Sequence, residues 1–336
     1  MYRRPSGESA SRCSFPIALG LSLLIGAMAA PPLAFAQQFP VKPIRLITAA
    51  APGSIPDTVA RPLAERLTDE LHQPVIVENR PGAGGIVAIN LVVTARPDGH
   101  TIGLVSMAQM VFNAYLFENL PYDPVRDLTP VVNLLSGPLA VAVHPSFPAN
   151  SLRELIVLAR TQPGRLHYAV PQLGAPPHIF ALMLCQAMQI DLVAVPFRGA
   201  PEALGSVVAG VVPIVFDAPL IVAQHVKAGT LKAIAVTGRE RVRLLPETPT
   251  LAESGFPKLD LEAWLGLVAP ANVPPTIIAK INDATSRALR TPALKQHFER
   301  LGWRILEGSP EEFASTILDD HATWGPIIRK SGLKLQ

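Results

Sequence analysis

The chain has 336 residues, with 29 Lys and Arg against 26 Asp and Glu and a formal net charge of +3. Arg3, Arg4, Arg12 and Glu8 lie within the first 36 residues, so 26 basic residues face 25 acidic ones beyond them. That balance gives no support for a nucleic-acid or membrane-surface partner, and with Cys185 alone after Cys13 there is no internal disulfide framework beyond the leader.

Residues 1–36 read as an export signal. Arg3, Arg4 and Arg12 make a basic start, residues 15–30 are apolar, and Ala34-Phe35-Ala36 fits a small-x-small cleavage site before Gln37. The apolar run falls short of the ~20 residues a membrane span needs. Cys13 precedes that run, which argues against a lipoprotein site. The chain after the signal is expected in the periplasm, where roughly 300 residues suffice for two domains.

Residues 44–47 form a short β run, and 58–72 carry Val59, Leu63, Leu67 and Leu71 on one helical stripe. A strand at 75–77, a helix at 86–95 and a strand at 101–105 follow. This βαβαβ order implies a parallel sheet with helices on both faces. Ser151 and Glu154 form a capping box before a helix at 152–161, which Pro163-Gly164 stops. Strands are expected at 166–170, 192–195, 212–216 and 232–237, with helices starting near Pro176, Pro201 and Ala218. Residues 207–223 are apolar but contain Pro213, Asp217 and Pro219, so they read as strand, loop and helix start rather than a membrane span. Helices at 274–290, 292–301 and 309–330 close the chain. The last begins at Ser309-Pro310-Glu311-Glu312 and ends at Gly332. Two αβ halves and a helical tail imply an α/β fold of two lobes, with a ligand cleft beyond the carboxyl ends of the strands.

Two Gly/Pro loops sit where a strand hands over to a helix: residues 51–57 and 79–85. Such loops aim backbone N–H groups and a helix N-terminus at one point, which suits an anion. Gly53 and Ser54 offer an N–H and a hydroxyl; Ser54 and Asp57 equally fit a capping box that only starts the helix. The loop Gly82-Ala83-Gly84-Gly85 lacks the Lys-Ser/Thr of a nucleotide P-loop, and either binds an anion or water or serves as a tight turn. Arg198 is the best single cation for a carboxylate, against the alternative of a solvated surface arginine. Asp217 ends the 212–216 strand, where it either orients a bridging water or ligand donor or caps the next helix. Ser106 after the 101–105 strand, with Gln172, Gly174 and Ala175 in the loop after 166–170, completes the candidate ligand-binding set. The eight His residues are scattered without metal-ligand spacing, and no G-x-S-x-G turn exists, so neither a metal, a cofactor nor a catalytic residue is expected. His178 reads as a cap or a core hydrogen-bonding group, and Cys185 as a small core residue.

Together these segments resemble the substrate-binding receptors of tripartite tricarboxylate transporters, the Bug-type receptors. The likeness runs from Phe39-Pro-Val-Lys-Pro-Ile-Arg45 to Trp324-Gly-x-Ile-Ile328. Its most specific pieces are Pro52-Gly-x-x-x-Asp-Thr-Val-Ala-Arg61, Val77-Glu-Asn-Arg-Pro-Gly-Ala-Gly-Gly85, Pro97-Asp-Gly99 and Leu120-Pro-Tyr-Asp-Pro124. Pro196-Phe-Arg-Gly199, Lys227-Ala-Gly229, Leu245-Pro-x-x-Pro-Thr250 and Trp264-x-Gly-Leu-x-Ala-Pro270 extend it. The resemblance implies a type II periplasmic-binding-protein fold with mixed or parallel sheets. It implies a hinged trap that holds a carboxylate between the first strand–helix loop and a facing loop, often through bridging waters. Ala50 stands where the family has Phe, and Ser54 where it has a second Gly. In the facing loop Val170 and Ala175 lack two expected hydroxyls, and Gln172 replaces a Gly. Fewer fixed donors and more room point to a bulkier, more apolar acid, such as an aromatic carboxylate.

The expected organisation is a signal at 1–36, one lobe at 37–137 plus 262–336, and another at 138–261. The expected function is a monomeric extracytoplasmic receptor that delivers a small organic carboxylate to membrane permease subunits. A sensory or scavenging receptor without a permease, and a secreted hydrolase using the same cleft, are the alternatives.

Overall fold

A computed structural model describes residues 39–257, 259 and 261–335. The expected signal at 1–36 and its expected cleavage site lie outside the described residues.

The first strand, β1 (Ile44–Thr48), enters α1 (Ile55–Leu71), which buries Val59, Leu63, Leu67 and Leu71 along the stripe expected from their spacing. Pro62 lies inside α1 and brings no N–H to the helical ladder. The carbonyl it leaves unserved, that of Thr58, is met instead by His297 Nε2 at 3.1 Å. His297 belongs to α9 (Pro292–Arg300), so a helix defect becomes a tertiary tie.

After α1 come β2 (Val75–Asn79), a 3-10 turn (Ala83–Gly85), α2 (Ile86–Val93) and β3 (Thr101–Ser106). A π-helical turn (Ala108–Phe112) and α3 (Asn113–Leu116) lead to two strands, β4 (Leu128–Pro138) and β5 (Ala140–Val143). The middle of the chain runs α4 (Leu152–Thr161), β6 (Leu166–Val170), α5 (Pro176–Met188), β7 (Leu192–Pro196) and α6 (Ala200–Val208). Then come β8 (Ile214–Asp217), α7 (Pro219–Lys227), β9 (Lys232–Val236) and β10 (Glu262–Pro270). The tail is α8 (Pro275–Leu289), α9, β11 (Arg304–Ile305) and α10 (Pro310–Ser331). The capping box at Ser309 and Glu312 forms, and Gly332 ends α10 with φ 69°.

Two sheets result. One has the order β11-β4-β10-β3-β1-β2 and the other β7-β6-β8-β5-β9. In the first, β1 pairs in parallel with β2 and β3, as the βαβαβ pattern implies. The remainder departs from that pattern, because β10 inserts antiparallel between β3 and β4. The second sheet is parallel across β7, β6 and β8, and antiparallel where β5 meets β8 and β9. This is the two-lobed α/β arrangement with mixed sheets and flanking helices.

Strands β4 and β10 pair from Leu128–Pro270 to Pro138–Glu262, and so carry the first sheet to the edge of the second. The sequence reading had no strand at 128–138, 140–143 or 262–270. All four residues of β5 and eight of the nine in β10 are buried, and β4 is mostly so, which leaves no period-2 alternation to betray them. Apolar packing is continuous at this junction. Phe180 of α5 stacks on Trp324 of α10 with ring centroids 4.9 Å apart. The indole N–H groups of Trp264 and Trp324 both donate to Asp320, at 2.7 and 3.2 Å.

Candidate functional site

A cavity of about 570 Å³ lies among the strand-to-helix loops of both sheets. From the first sheet it is lined by Ala49, Ala50, Ala51 and Ser54 after β1, by Gly82–Gly85 after β2, and by Ser106, Ala108 and Gln109 after β3. From the second it receives Gln172, Gly174 and Ala175 after β6, and Arg198 and Gly199 after β7. Carboxyl ends of strands from both sheets therefore meet at one place, which is where ligands of open α/β sheets bind.

Each of those loops opens a helix or helical turn. Ser54, Ala175 and Gly199 are the N-terminal flanking residues of α1, α5 and α6, and Ala83 starts the 3-10 turn that feeds α2. The first N–H groups of a helix have no intrahelical acceptor, and its N-terminus carries partial positive charge. Among the described residues no Asp or Glu lines the cavity, and Arg198 is its only Lys, Arg or His. An anion is the species such a lining accepts.

The candidates fall into three groups. Ser54, Ser106, Gln172, Gly174, Ala175 and Arg198 line the cavity together. Gly53 and Asp57 are not in its lining, but adjoin Ser54 and Pro56, which are. The Asp57 carboxylate, almost fully enclosed, accepts from Gly53 N at 2.8 Å, Arg61 Nε at 2.9 Å and Asn79 Nδ2 at 2.8 Å. Burial alone would raise its pKa, but the bonds from Arg61, Gly53 and Asn79 outweigh that and hold it below the ordinary carboxylate value. Ser54 and Asp57 therefore do not form the capping box their spacing suggested. The Ser54 N–H and hydroxyl both go to Ala51 O, at 3.1 and 2.7 Å, and Asp57 takes the N–H one residue earlier.

Asp217 stands apart from the cavity lining. Its Oδ1 accepts from Ala218 N at 2.7 Å, the N–H of the residue that flanks α7 and not one of the helix's own first N–H groups, so it does not cap α7, and its Oδ2 is enclosed without a protein partner. Burial pushes its pKa up to about 6. Ser106 is likewise engaged within the protein. Its hydroxyl donates to Gln109 Oε1 at 2.7 Å, and Gln109 Nε2 reaches Gly84 O at 3.3 Å, joined there by Asn113 Nδ2 at 3.1 Å. This network holds the turn at residues 83–85. Glycine is required in it: Gly85 has φ 91°, and a Cβ there would stand 2.8 Å from Gln109 Nε2.

The facing loop is set by buried His178, whose Nδ1 accepts from Gly174 N at 3.0 Å. Burial depresses this imidazole to about 4, so it remains a neutral acceptor. The core hydrogen-bonding role expected of His178 is the one it has. Pro176 and Pro177 open α5 without N–H groups, so that helix contributes its dipole with fewer donors than α1 or α6. Sequence reasoning missed Gln109 and Leu335, which also line the cavity. Gln109 carried the only available signal, a lone polar residue in the apolar run Met107-Ala-Gln-Met-Val-Phe112.

A larger groove, of about 910 Å³, lies elsewhere, along residues 239–244 and 302–305. Three of its cations are held by carboxylates, Arg241 by Glu253 at 2.9 Å, Arg290 by Glu307 at 2.7 Å and Arg304 by Glu262, and Glu240 and Glu299 also line it. It differs from the smaller cavity in carrying acidic side chains in its wall and, among the described residues, in lacking converging strand-to-helix loops. Among the described residues no group of three or more His, Cys, Asp or Glu could hold a metal ion. None of the described helices is long and apolar enough to cross a membrane.

The chain is similar to known proteins over most of its length. Residues 59–333 match the family model described as the tripartite tricarboxylate transporter family receptor. Protein BugT of Bordetella pertussis is 30% identical over 319 residues, covering 95% of this chain and 97% of that protein. The solved structure of Rpa4515 from R. palustris with adipate superposes with a TM-score of 0.79 at 26% identity, over 88% of this chain and 98% of that one. MatC from Rhodopseudomonas palustris with bound malate gives 0.76 at 31% identity, over 86% of this chain and all of that one (100%). The chain belongs to the tripartite tricarboxylate transporter receptor family, and is a solute-binding receptor rather than an enzyme.

Proposed function

We propose that this receptor works in the periplasm and captures a small organic carboxylate, with a bulky or aromatic apolar body, in the cavity between its lobes. The observation that carries the reading is the lining: four helix starts and Arg198 converge on a space with no acidic side chain among the described residues. Ala49, Ala50, Leu104, Val105, Leu173 and Leu265 supply apolar wall, which favours an acid with one charged end over a compact polyacid. The relatives solved with adipate and malate support carboxylate as the ligand class. In this reading residues 39–137 with 262–335 form one lobe and 138–261 the other. Ligand touching both shifts the population to the closed form, which membrane permease subunits then receive from a monomeric receptor.

The test is titration calorimetry against mono-, di- and aromatic carboxylates, with small-angle scattering for closure. Benzoate-like acids should bind more tightly than succinate or citrate. Arg198→Ala should weaken binding by about tenfold, the value of one charge-assisted contact at an exposed arginine. Absence of binding by any acid, or unchanged affinity in the variant, would remove the reading or Arg198's part in it.

A further inference from the structure

After Gly332 the chain turns back toward the cavity. Leu335 N donates to Leu116 O at 2.9 Å, Leu335 forms a parallel bridge with Phe117, and Lys334 Nζ donates to Tyr115 O at 3.2 Å. Backbone and side chain thus fasten this segment to α3. The Leu335 side chain enters the wall of the same cavity that Ser54 and Arg198 line. Opposite it is Gly174, in the loop of the second sheet. Gly174 has φ 78°, and a Cβ there would lie 2.8 Å from both Leu116 Cδ1 and Leu335 Cδ1. Leu335 is therefore held from the first sheet's side and pressed against the second sheet's loop.

We propose that Leu335 is a specificity-determining residue, an apolar stop that limits how long or bulky the non-ionic end of the ligand can be. The inference rests on the reading of this cavity as the carboxylate site. A carboxylate held at the helix starts leaves its apolar end to meet the wall, and Leu335 is one of the few large aliphatic side chains there. Its position against Gly174 also makes its size felt by the loop that must approach for closure. Nothing local in the chain announces this role, since Leu335 reaches the cavity from 161 residues beyond Gly174.

The experiment is calorimetry of the whole protein with butanoate, hexanoate, octanoate and benzoate, for wild type, Leu335→Ala and Leu335→Phe. Each further methylene that finds an apolar place is worth about fourfold in affinity. Leu335→Ala should extend the chain length at which affinity stops rising, and improve octanoate relative to butanoate by about tenfold. Leu335→Phe should shift the preference the opposite way. Opposed shifts in the two variants cannot come from a general loss of stability, which would weaken all four acids alike. Equal selectivity in all three proteins overturns this inference and leaves the carboxylate reading standing. Failure of wild type to bind any of the acids overturns both.

Discussion

Asp57 offers the sharpest test of how the cavity is built. Its carboxylate holds Gly53 of the first loop, Arg61 of α1 and Asn79 at the end of β2. Asp57→Ala removes all three bonds. Charge-assisted bonds to Gly53 and Asn79 contribute about 1.5 kcal/mol each. Arg61 is 55% exposed, so its ion pair adds no more than about 1 kcal/mol. Relief of the cost of burying the carboxylate offsets part of this, leaving a net loss of about 3 kcal/mol. At ~2.1 cal/mol/K per residue, that lowers the Tm by about 5 °C.

The pH dependence gives the prediction its discriminating power. The folded carboxyl is held below the value of about 3.9 that it has when unfolded. Its contribution is therefore complete above the unfolded value and is lost as pH falls through the folded one. Thermal melts of wild type and variant should differ fully at pH 7 and draw together as the pH is lowered below about 4. A gap that stays constant down to pH 3, or a variant as stable as wild type at pH 7, would refute the reasoning.

Asp217 should behave with the opposite sign. Its folded pKa is raised to about 6, so the charged form is a burden absent below the unfolded value of about 3.9 and fully felt above 6. Asp217→Asn should raise stability at pH 7.5 by up to about 3 kcal/mol in denaturant titrations, with the gain gone by about pH 4; an Asn variant weaker than wild type at pH 7.5 would contradict this. In β10, a Cβ on Gly266 would collide with the Phe313 ring at Cζ. Gly266→Ala should cost about 1–3 kcal/mol, and adding Phe313→Leu should recover part of the loss; strict additivity of the two changes would count against the clash.

How far the chain can be read without coordinates depends on the range of the interactions involved. The stripe of Val59, Leu63, Leu67 and Leu71 gave α1 because helical burial repeats locally. The capping box at Ser309 was legible for the same reason, its partners being three residues apart. The loops at 51–57 and 79–85 were found because Gly and Pro mark strand-to-helix turns, and both line the cavity. Asp57 shows the limit of spacing. Its acceptor role is local, yet it serves Gly53 rather than Ser54, a shift of one residue that composition does not encode. Ser106 looks available in sequence and is instead bonded to Gln109, a partner visible only once the π-helical turn is formed. Strands β4, β5 and β10 escaped because burial on both faces removes alternation. Leu335 escaped because its neighbours come from distant parts of the chain.

The paired run of β4 and β10 has a mechanical consequence. Where one sheet gives way to the other, the connection includes two hydrogen-bonded strands with register shifts between Leu265 and Gly266 and between Leu267 and Val268. Pairing of Glu262 with Pro138 ties the two chain crossings to each other, so neither shifts without the other. On the proposed reading, in which two lobes close on a ligand, both crossings between them must bend as one unit.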